Sequence, residues 1–375
     1  MKHILSKKNL GKVFCSVAWV GLVLTVACLS GCGLDSPKVL SDVDTAMGTV
    51  ITQKIYLKKP VKTKKENRDA LPTEEILGLV GSLERERISF RIPDAELSRI
   101  NEAFADRDPI AGDEPDVVKL SPQMEEILIR CLEISEASDG AFDITIGSVA
   151  RLWNVDEWAD TPKTDSEAAY PLPSESEIRE KLDASGYEKV TVKDHGIILS
   201  PGMSLDLGAV GKGIALDEIL QYLKGQENVE GAVISAGGSI LTYGTKPDGT
   251  AWNVGIVDPM STDQSLGILT LTGQWCVSTS GDYERYVEVD GVRYHHIIDP
   301  ETGYPARSRV KSVTVLTRDG FLSDALSTAC FILGRDKGME LAEKYGAEAL
   351  FVDQDGEVAM TEGMRQYFNF AAKEK

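Results

Sequence analysis

Hydrophobic and polar positions alternate with a period of two over residues 49–57 of this chain, then switch to helical spacing between residues 73 and 83. Glu74 and Glu75 stand in the first turn of that second segment, and Ile76, Leu77, Val80 and Leu83 share one side, which predicts an amphipathic helix beginning near Thr73. Helical spacing returns over residues 125–138, 176–184, 211–224, 323–333 and 337–345. Strands are predicted over residues 189–192, 197–199, 231–235, 252–256, 266–271, 275–279, 286–289, 312–316 and 349–352. Turn sequences around residues 194–196, 247–249 and 290–291 favour hairpins. Regular strand–helix–strand alternation is missing from the second half, so the pattern predicts an α+β fold with mainly antiparallel sheets, a single large domain over residues 45–375. Residues 58–67 and the acidic, proline-containing stretch 156–174 read as surface loops inserted into it.

The first residues belong to a different regime. Lys2, Lys7, Lys8 and Lys12 precede an apolar run over residues 13–28 that is shorter than a spanning helix needs and ends in Leu29, Ser30, Gly31 and Cys32. That arrangement predicts a signal peptide over residues 1–31. Its ending resembles the bacterial lipobox, which implies a lipid on the Cys32 thiol, a tether over residues 32–44 and an extracytoplasmic protein anchored to a bacterial membrane. Removing the signal takes away four lysines and no acid, so the formal charge moves from −19 to −23. Such a chain repels phosphate backbones, which excludes nucleic acid as a partner and confines any anionic ligand to a locally positive or metal-containing pocket. Cys131, Cys276 and Cys330 are an odd, widely spaced trio among apolar neighbours, read as small core residues and not as a disulfide framework.

Three segments could carry chemistry. Residues 205–213 pass from a short strand into a helix through Gly208, Gly211 and Gly213, a turn that exposes backbone N–H groups to an anion, with Lys212 beside it. A plain glycine turn with a solvent lysine has the same pattern, and Gly213 stands where a P-loop needs Ser or Thr. Ser323 is a candidate N-cap for the helix that closes at Gly334, and Asp324 and Thr328, four apart, share a face. Such oxygen donors suit Mg2+, although an acid near a helix start also serves the helix dipole alone. His295 and His296 alternate faces on a strand, so one of them enters a cleft, where an imidazole can accept a proton from an attacking hydroxyl. A rigid turn follows at residues 299–303, and the polar block of residues 278–283, with Ser280 at its centre, offers hydroxyls to a phosphate or an adenine edge.

Taken in order, these segments resemble the FAD:protein FMN transferase family, often called ApbE. The resemblance runs through residues 46–49, 97–101, 140–143, 206–213, Gly237 and Gly238, 280–286, 296–303 and 324–328. It implies FAD held by Met47, Phe90, Ala141, Phe142, Asp143, Asp206, Lys212, Ser280 and Ile297, and Mg2+ bound by Asp324, Thr328 and the carbonyl of Ala209. It also implies His296 as the base and, as acceptors, extracytoplasmic flavoproteins with a Ser/Thr flavinylation motif, subunits of membrane redox pumps among them. Two departures stand out: Phe90 replaces a usual tyrosine, and Ser235 and Ser239 replace the Asn and Asp that usually flank the glycine pair. A Mg2+-dependent FAD pyrophosphatase and a non-catalytic flavin-binding lipoprotein are the alternative readings.

Overall fold

The computed structural model describes residues 38–62, 69–105, 117–160 and 170–371. The expected signal peptide and Cys32 lie outside the described residues. In chain order the elements are β1 (Val39–Ala46), β2 (Thr49–Leu57), α1 (Pro72–Leu83), α2 (Glu96–Ala105), β3 (Val118–Lys119), α3 (Pro122–Ala137), α4 (Gly147–Trp153), α5 (Val155–Asp160), α6 (Glu175–Ala184), β4 (Thr191–Lys193), β5 (Gly196–Ile198) and α7 (Gly211–Lys224). They continue with β6 (Val229–Ala236), β7 (Ser239–Gly244), β8 (Trp252–Val257), β9 (Ser265–Leu271), β10 (Trp275–Gly281), β11 (Tyr286–Val289), β12 (Val292–His295), β13 (Val310–Thr317), α8 (Gly320–Leu333), α9 (Arg335–Lys344), β14 (Glu348–Asp353), β15 (Val358–Met360) and β16 (Phe368–Phe370).

An eight-stranded antiparallel sheet in the order β1-β2-β6-β7-β10-β13-β14-β15 forms the middle layer. Its central strands β10 and β13 are buried along almost their whole length, with apolar residues on both faces and their buried Ser and Thr hydroxyls hydrogen-bonded to one another and to α8. On one side Cys276, Val313 and Val315 pack with Phe321, Ala325 and Ala329 of α8 and with the stripe of α7. On the other, Val277, Leu316, Leu350 and Val352 pack with Trp252, Val254, Leu269 and Leu271 of the smaller sheet β16-β9-β8. The α+β class and the antiparallel pairing are as the sequence predicts. Cys131, Cys276 and Cys330 are free and buried.

Four local expectations need correction. The tether read over residues 32–44 already contains most of β1, because Val39–Ala46 finds its pairing partners in β2. Residues 247–249 do not close a hairpin: both edges of β7 are taken, by β6 and β10, so the chain leaving it crosses to the second sheet. Part of the stretch 156–174 folds as α5 and lies beside β11. Ser323 is not the cap of α8, which starts at Gly320 with Asp319 accepting from the N–H of Leu322 at 2.8 Å. Asp217 of α7 supplies the rest, accepting from the N–H groups of Gly320 and Phe321 at 2.7 and 2.9 Å. Burial and the neighbouring Asp319 push its carboxyl up to about 6.

Helices α7 and α8 cross at two glycines. A Cβ on Gly213 would lie 2.2 Å from the Gly320 carbonyl oxygen, and one on Gly320 would lie 2.3 Å from that of Gly213. Backbone on backbone cannot yield by a rotamer change, so Gly213→Ala is expected to force the helices apart and lower stability by about 3 kcal/mol or more, read as a fall in the thermal midpoint. This contact fixes the start of α7 against the start of α8.

Candidate active site

That crossing brings together the two segments singled out in the sequence. The turn after Asp206 is tied on both sides: the Asp206 N–H donates to the Ile144 carbonyl at 2.7 Å, and its Oδ1 accepts from the Gly208 N–H at 2.7 Å. At the first turn of α7 the N–H of Gly213 donates to Asp324 Oδ2 at 2.6 Å, while Asp324 Oδ1 accepts from the Ser239 hydroxyl at 2.6 Å. Asp324 is 3 % exposed, so its charge is held by these two donors and by no water shell. Ser239, where the resemblance leads one to expect a second carboxylate, is thus a donor to the one that remains. One turn further along α8, Thr328 is half-buried, with its hydroxyl 3.4 Å from Ser280 Oγ. Ser280 itself pairs with Ser327 at 2.8 Å, and Ser278 with Ser323 at 2.8 Å, so the polar block of β10 mainly zips that strand to α8.

Met47 and Gly48 form the two-residue turn between β1 and β2, both at positive φ, as hairpins of this length require. The Met47 N–H donates to Glu84 Oε2 at 2.9 Å, in a short π-helical turn (Glu84–Ile88) that continues α1. The Met47 side chain lies against Gly211, whose Cβ would meet Met47 Cε at 3.2 Å. From the opposite side Arg285 Nη2 donates to the Gly48 carbonyl at 2.9 Å, and Arg285 Nη1 stands 3.5 Å from Asp156 Oδ2.

The same Arg285 holds a histidine. Its carbonyl accepts from the His296 N–H at 3.1 Å and lies 3.2 Å from His296 Nδ1. A carbonyl only accepts, so Nδ1 carries the hydrogen and Nε2 keeps its lone pair. Burial holds His296 below the usual histidine range, opposed by the charge of Asp156. His295 points the other way: its Nε2 donates to the Ala306 carbonyl at 3.0 Å and its Nδ1 accepts from Ile297 at 3.3 Å. The two imidazoles thus have different partners, but β12 ends at His295, so it is the bend after the strand and not strand alternation that turns His296 to Arg285; residues 299–303 form the expected turn around Asp299.

His295 is a buried neutral base, pushed down to about 4 by burial. An unfolded histidine titrates near 6.5, so between about pH 6.5 and 4 the unfolded chain takes the proton first and stability falls as pH falls. The contribution is on the order of 3 kcal/mol. In denaturant titrations across that window, His295→Gln is expected to flatten the loss relative to the wild type.

Asp206, Glu284, Lys212, Arg285, Asp156 and His296 share one electrostatic neighbourhood. Glu284 remains accessible from the cleft although protein surrounds its carboxylate, and burial, opposed by Lys212 and Arg285, pushes it up to about 7. Asp206 is raised by burial and by Asp156, against Arg151 and Arg91. A cavity of about 550 Å³ opens beside this cluster, lined by Phe90, Arg151, Met203 and Ser204 among others, with the Arg91 guanidinium 4.3 Å over the Phe90 ring. Its lining omits Lys212, Asp324 and His296.

The remaining expected residues are held in the surrounding fold. Phe142 is 2 % exposed in the core, and Asp143 spends both oxygens on the N–H groups of Thr145 and Tyr187 at 2.8 and 3.0 Å. Ile297 is buried, its carbonyl accepting from Ala306 at 3.0 Å, and Ala209 is half-buried in the turn before α7. Glu84 and Asp156 are single charged residues with no spacing that would mark them, and Glu284 and Arg285 fall inside the block 280–286 without a role of their own there.

Comparison with known proteins bears on this arrangement. The model of the ApbE family matches residues 47–351. A curated relative from Treponema pallidum, an FAD:protein FMN transferase, is 34 % identical over 368 residues, covering 93 % of this chain and 94 % of its own. This chain belongs to the ApbE family. The crystal structure of the ApbE protein from Thermotoga maritima superposes with a TM-score of 0.73 at 31 % identity, over 88 % of this chain and 99 % of that one. The apo flavinyl transferase ApbE of Pseudomonas stutzeri superposes with a TM-score of 0.71 at 27 % identity, over 91 % and 100 %. The ApbE match begins at Met47 and ends in β14, so it takes in both the Asp206–Gly213 turn and the Asp324 helix.

Proposed function

We propose that this ApbE chain is an FAD:protein FMN transferase that moves FMN from FAD to a Ser or Thr hydroxyl of an extracytoplasmic flavoprotein and releases AMP. The observation that carries the reading is the Gly213–Asp324 hydrogen bond, which sets the glycine turn with Lys212 and the acid of α8 side by side. The donor set fits Mg2+: Asp324, Thr328 and the Ala209 carbonyl are hard oxygens, and Asp324 keeps a free lone pair on each carboxylate oxygen beyond the hydrogen bond it accepts. Among the described residues no group of three or more His, Cys, Asp or Glu side chains could hold a metal. When bound there, Mg2+ supplies Lewis-acid withdrawal of charge from the pyrophosphate.

The chain's own residues account for the rest. Lys212 brings a positive charge to the pyrophosphate at the start of α7, in an acidic protein that otherwise repels it. His296 Nε2 takes the proton of the acceptor hydroxyl as its oxygen bonds to the riboflavin-side phosphorus and the anhydride bond to AMP breaks. Phe90 offers a ring face, and Met47, Asp206, the Ala141–Phe142–Asp143 backbone and Ile297 would line the flavin nucleotide. The lipobox-like Cys32 supports anchoring to a bacterial membrane, with a membrane redox-pump subunit as one kind of acceptor. Among the described residues no helix is long and apolar enough to cross a membrane.

The test is the intact mass of an acceptor domain after incubation with FAD and Mg2+, with and without EDTA. A metal-dependent gain of one FMN supports the transferase. Free FMN and AMP with an unmodified acceptor would move the reading to a pyrophosphatase, and unchanged FAD to a flavin-binding lipoprotein.

A further inference from the structure

Strand β1 ends one side of the eight-stranded sheet, and among the described residues no strand pairs with its outer edge. The register fixes which backbone groups that edge presents. Ala46 and Thr49 face each other across a two-residue turn, and the Leu57 N–H donates to the Lys38 carbonyl at 2.8 Å, so the even-numbered residues of β1 bond to β2. The N–H and C=O groups of Val39, Ser41, Val43 and Thr45 therefore point outward. Two of these donors are held only by the side chain before them: the Val43 N–H donates to Asp42 Oδ1 at 3.1 Å and the Thr45 N–H to Asp44 Oδ1 at 2.7 Å, both at the surface. Such local, solvent-exposed contacts give way to peptide carbonyls at little cost.

The strand runs into the site. Met47 and Gly48 follow it, and Arg285 alone spans the gap from the Gly48 carbonyl, to which its guanidinium donates, to His296, which its backbone carbonyl holds. A few extended residues, about 3.3 Å each, cover the same gap. The ApbE match starts at Met47, so β1 borders the shared site without being part of the match. Three features then select what lies on this edge. It is eight residues long with Val43 64 % exposed, so it offers side-chain contact beside its hydrogen bonds. A second copy is disfavoured, because antiparallel pairing of two β1 strands sets Asp42 and Asp44 of one beside those of the other, in a chain of net charge −19. A segment carrying Lys or Arg instead meets both carboxylates once its carbonyls have taken their N–H groups. Under the anchoring proposed above, only residues 33–38 join Cys32 to Val39, roughly 25 Å of chain at full extension, which keeps the edge within reach of segments that emerge from the same membrane.

We propose that the outer edge of β1 is the docking strand for the acceptor: an extended, positively charged segment of the acceptor flavoprotein adds to it through backbone hydrogen bonds and brings its Ser or Thr hydroxyl past the Met47–Gly48 turn to His296. The inference rests on the transferase reading above. It assigns affinity to the backbone of β1 and selectivity to Asp42, Asp44 and the exposed valine between them.

Val43→Pro removes an outward donor and no bond between β1 and β2. With full-length protein in detergent, saturating FAD and Mg2+, and the acceptor domain of the mass assay, KM for the acceptor is expected to rise about five- to ten-fold, with kcat and FAD affinity little changed. Val43→Lys, a change at an exposed side chain, should act in the same direction by repelling the segment, and it replaces the proline variant if that one lowers the thermal midpoint. Asp42→Asn combined with Asp44→Asn should raise KM a few-fold at low salt and not at high salt. In the wild type, backbone hydrogen exchange over residues 39–46 should slow when the acceptor domain is added. In a chain that does transfer FMN, a KM that ignores the Val43 changes or the aspartate pair, or exchange that ignores the acceptor, would overturn the proposal alone. So would a wild-type dimer that Val43→Pro splits, since the edge would then belong to a second copy. Slowed exchange in a wild type that modifies no acceptor would remove the transferase reading and leave the docking edge standing, and unchanged exchange there would remove both.

Discussion

Asp324→Asn is expected to reduce FMN transfer by a hundred- to a thousand-fold while leaving the protein folded. The two halves of that expectation follow from the same hydrogen bonds. Asp324 accepts from the Gly213 N–H, which can only donate, and from the Ser239 hydroxyl, which can also accept. An asparagine can therefore turn its carbonyl oxygen to Gly213 and its amide to Ser239, keeping both contacts at a cost of about 1–2 kcal/mol. What it cannot supply is a carboxylate for a hard cation, because the amide nitrogen has no lone pair to give and the charge is gone. Asp324→Ala is the poorer test, since it strands a buried N–H at the α7–α8 crossing and confuses folding with chemistry. The measurement is single-turnover transfer to an acceptor across Mg2+ concentrations, beside the thermal midpoint. Undiminished transfer at equal Mg2+ would remove Asp324 from the metal site.

How far the sequence reveals this site depends on what kind of information places each residue. Periodicity locates α7 to the residue, because Ile214, Leu216, Ile219, Leu220 and Leu223 all turn to the core and the glycines mark its entry. The start of α8 is misplaced by three residues, because its true cap comes partly from Asp217, more than 100 positions away, and no local pattern carries a capping partner on another helix. Ser323 satisfies the local rule for a cap, yet its hydroxyl bonds the Gly320 carbonyl at 2.7 Å inside the helix. The hairpin at residues 290–291 is legible because an Asp-Gly pair supplies two positive φ angles; the same kind of turn signal misleads at 247–249, where the topology has left β7 no free edge. Ordered motifs identify Asp206, Lys212, His296 and Asp324. The block 280–286 contains Arg285 but marks no role for it; that comes from reaching Gly48, Asp156 and His296 at once.

Removal of the His296 imidazole is the second large effect, and its signature differs from that of Asp324. His296→Ala is expected to slow transfer by a factor of about 10² to 10⁴ while FAD still binds, because the imidazole acts on the acceptor hydroxyl and not on the flavin nucleotide. The fold should tolerate the change: the backbone N–H of residue 296 still donates to the Arg285 carbonyl, and only the weaker Nδ1 contact at 3.2 Å is lost. The pH profile decides the role. Burial holds His296 below the ordinary histidine value, so the free base is present at neutral pH and the wild-type rate should fall as pH drops through that lowered value. In the variant the residual rate should lack that limb, having no imidazole to protonate. FAD affinity from flavin fluorescence, set against single-turnover transfer between about pH 5 and 8, separates the outcomes. A variant that keeps the wild-type acid limb would place the titrating base elsewhere, with Glu284, pushed up to about 7 in the same cleft, the next group to replace.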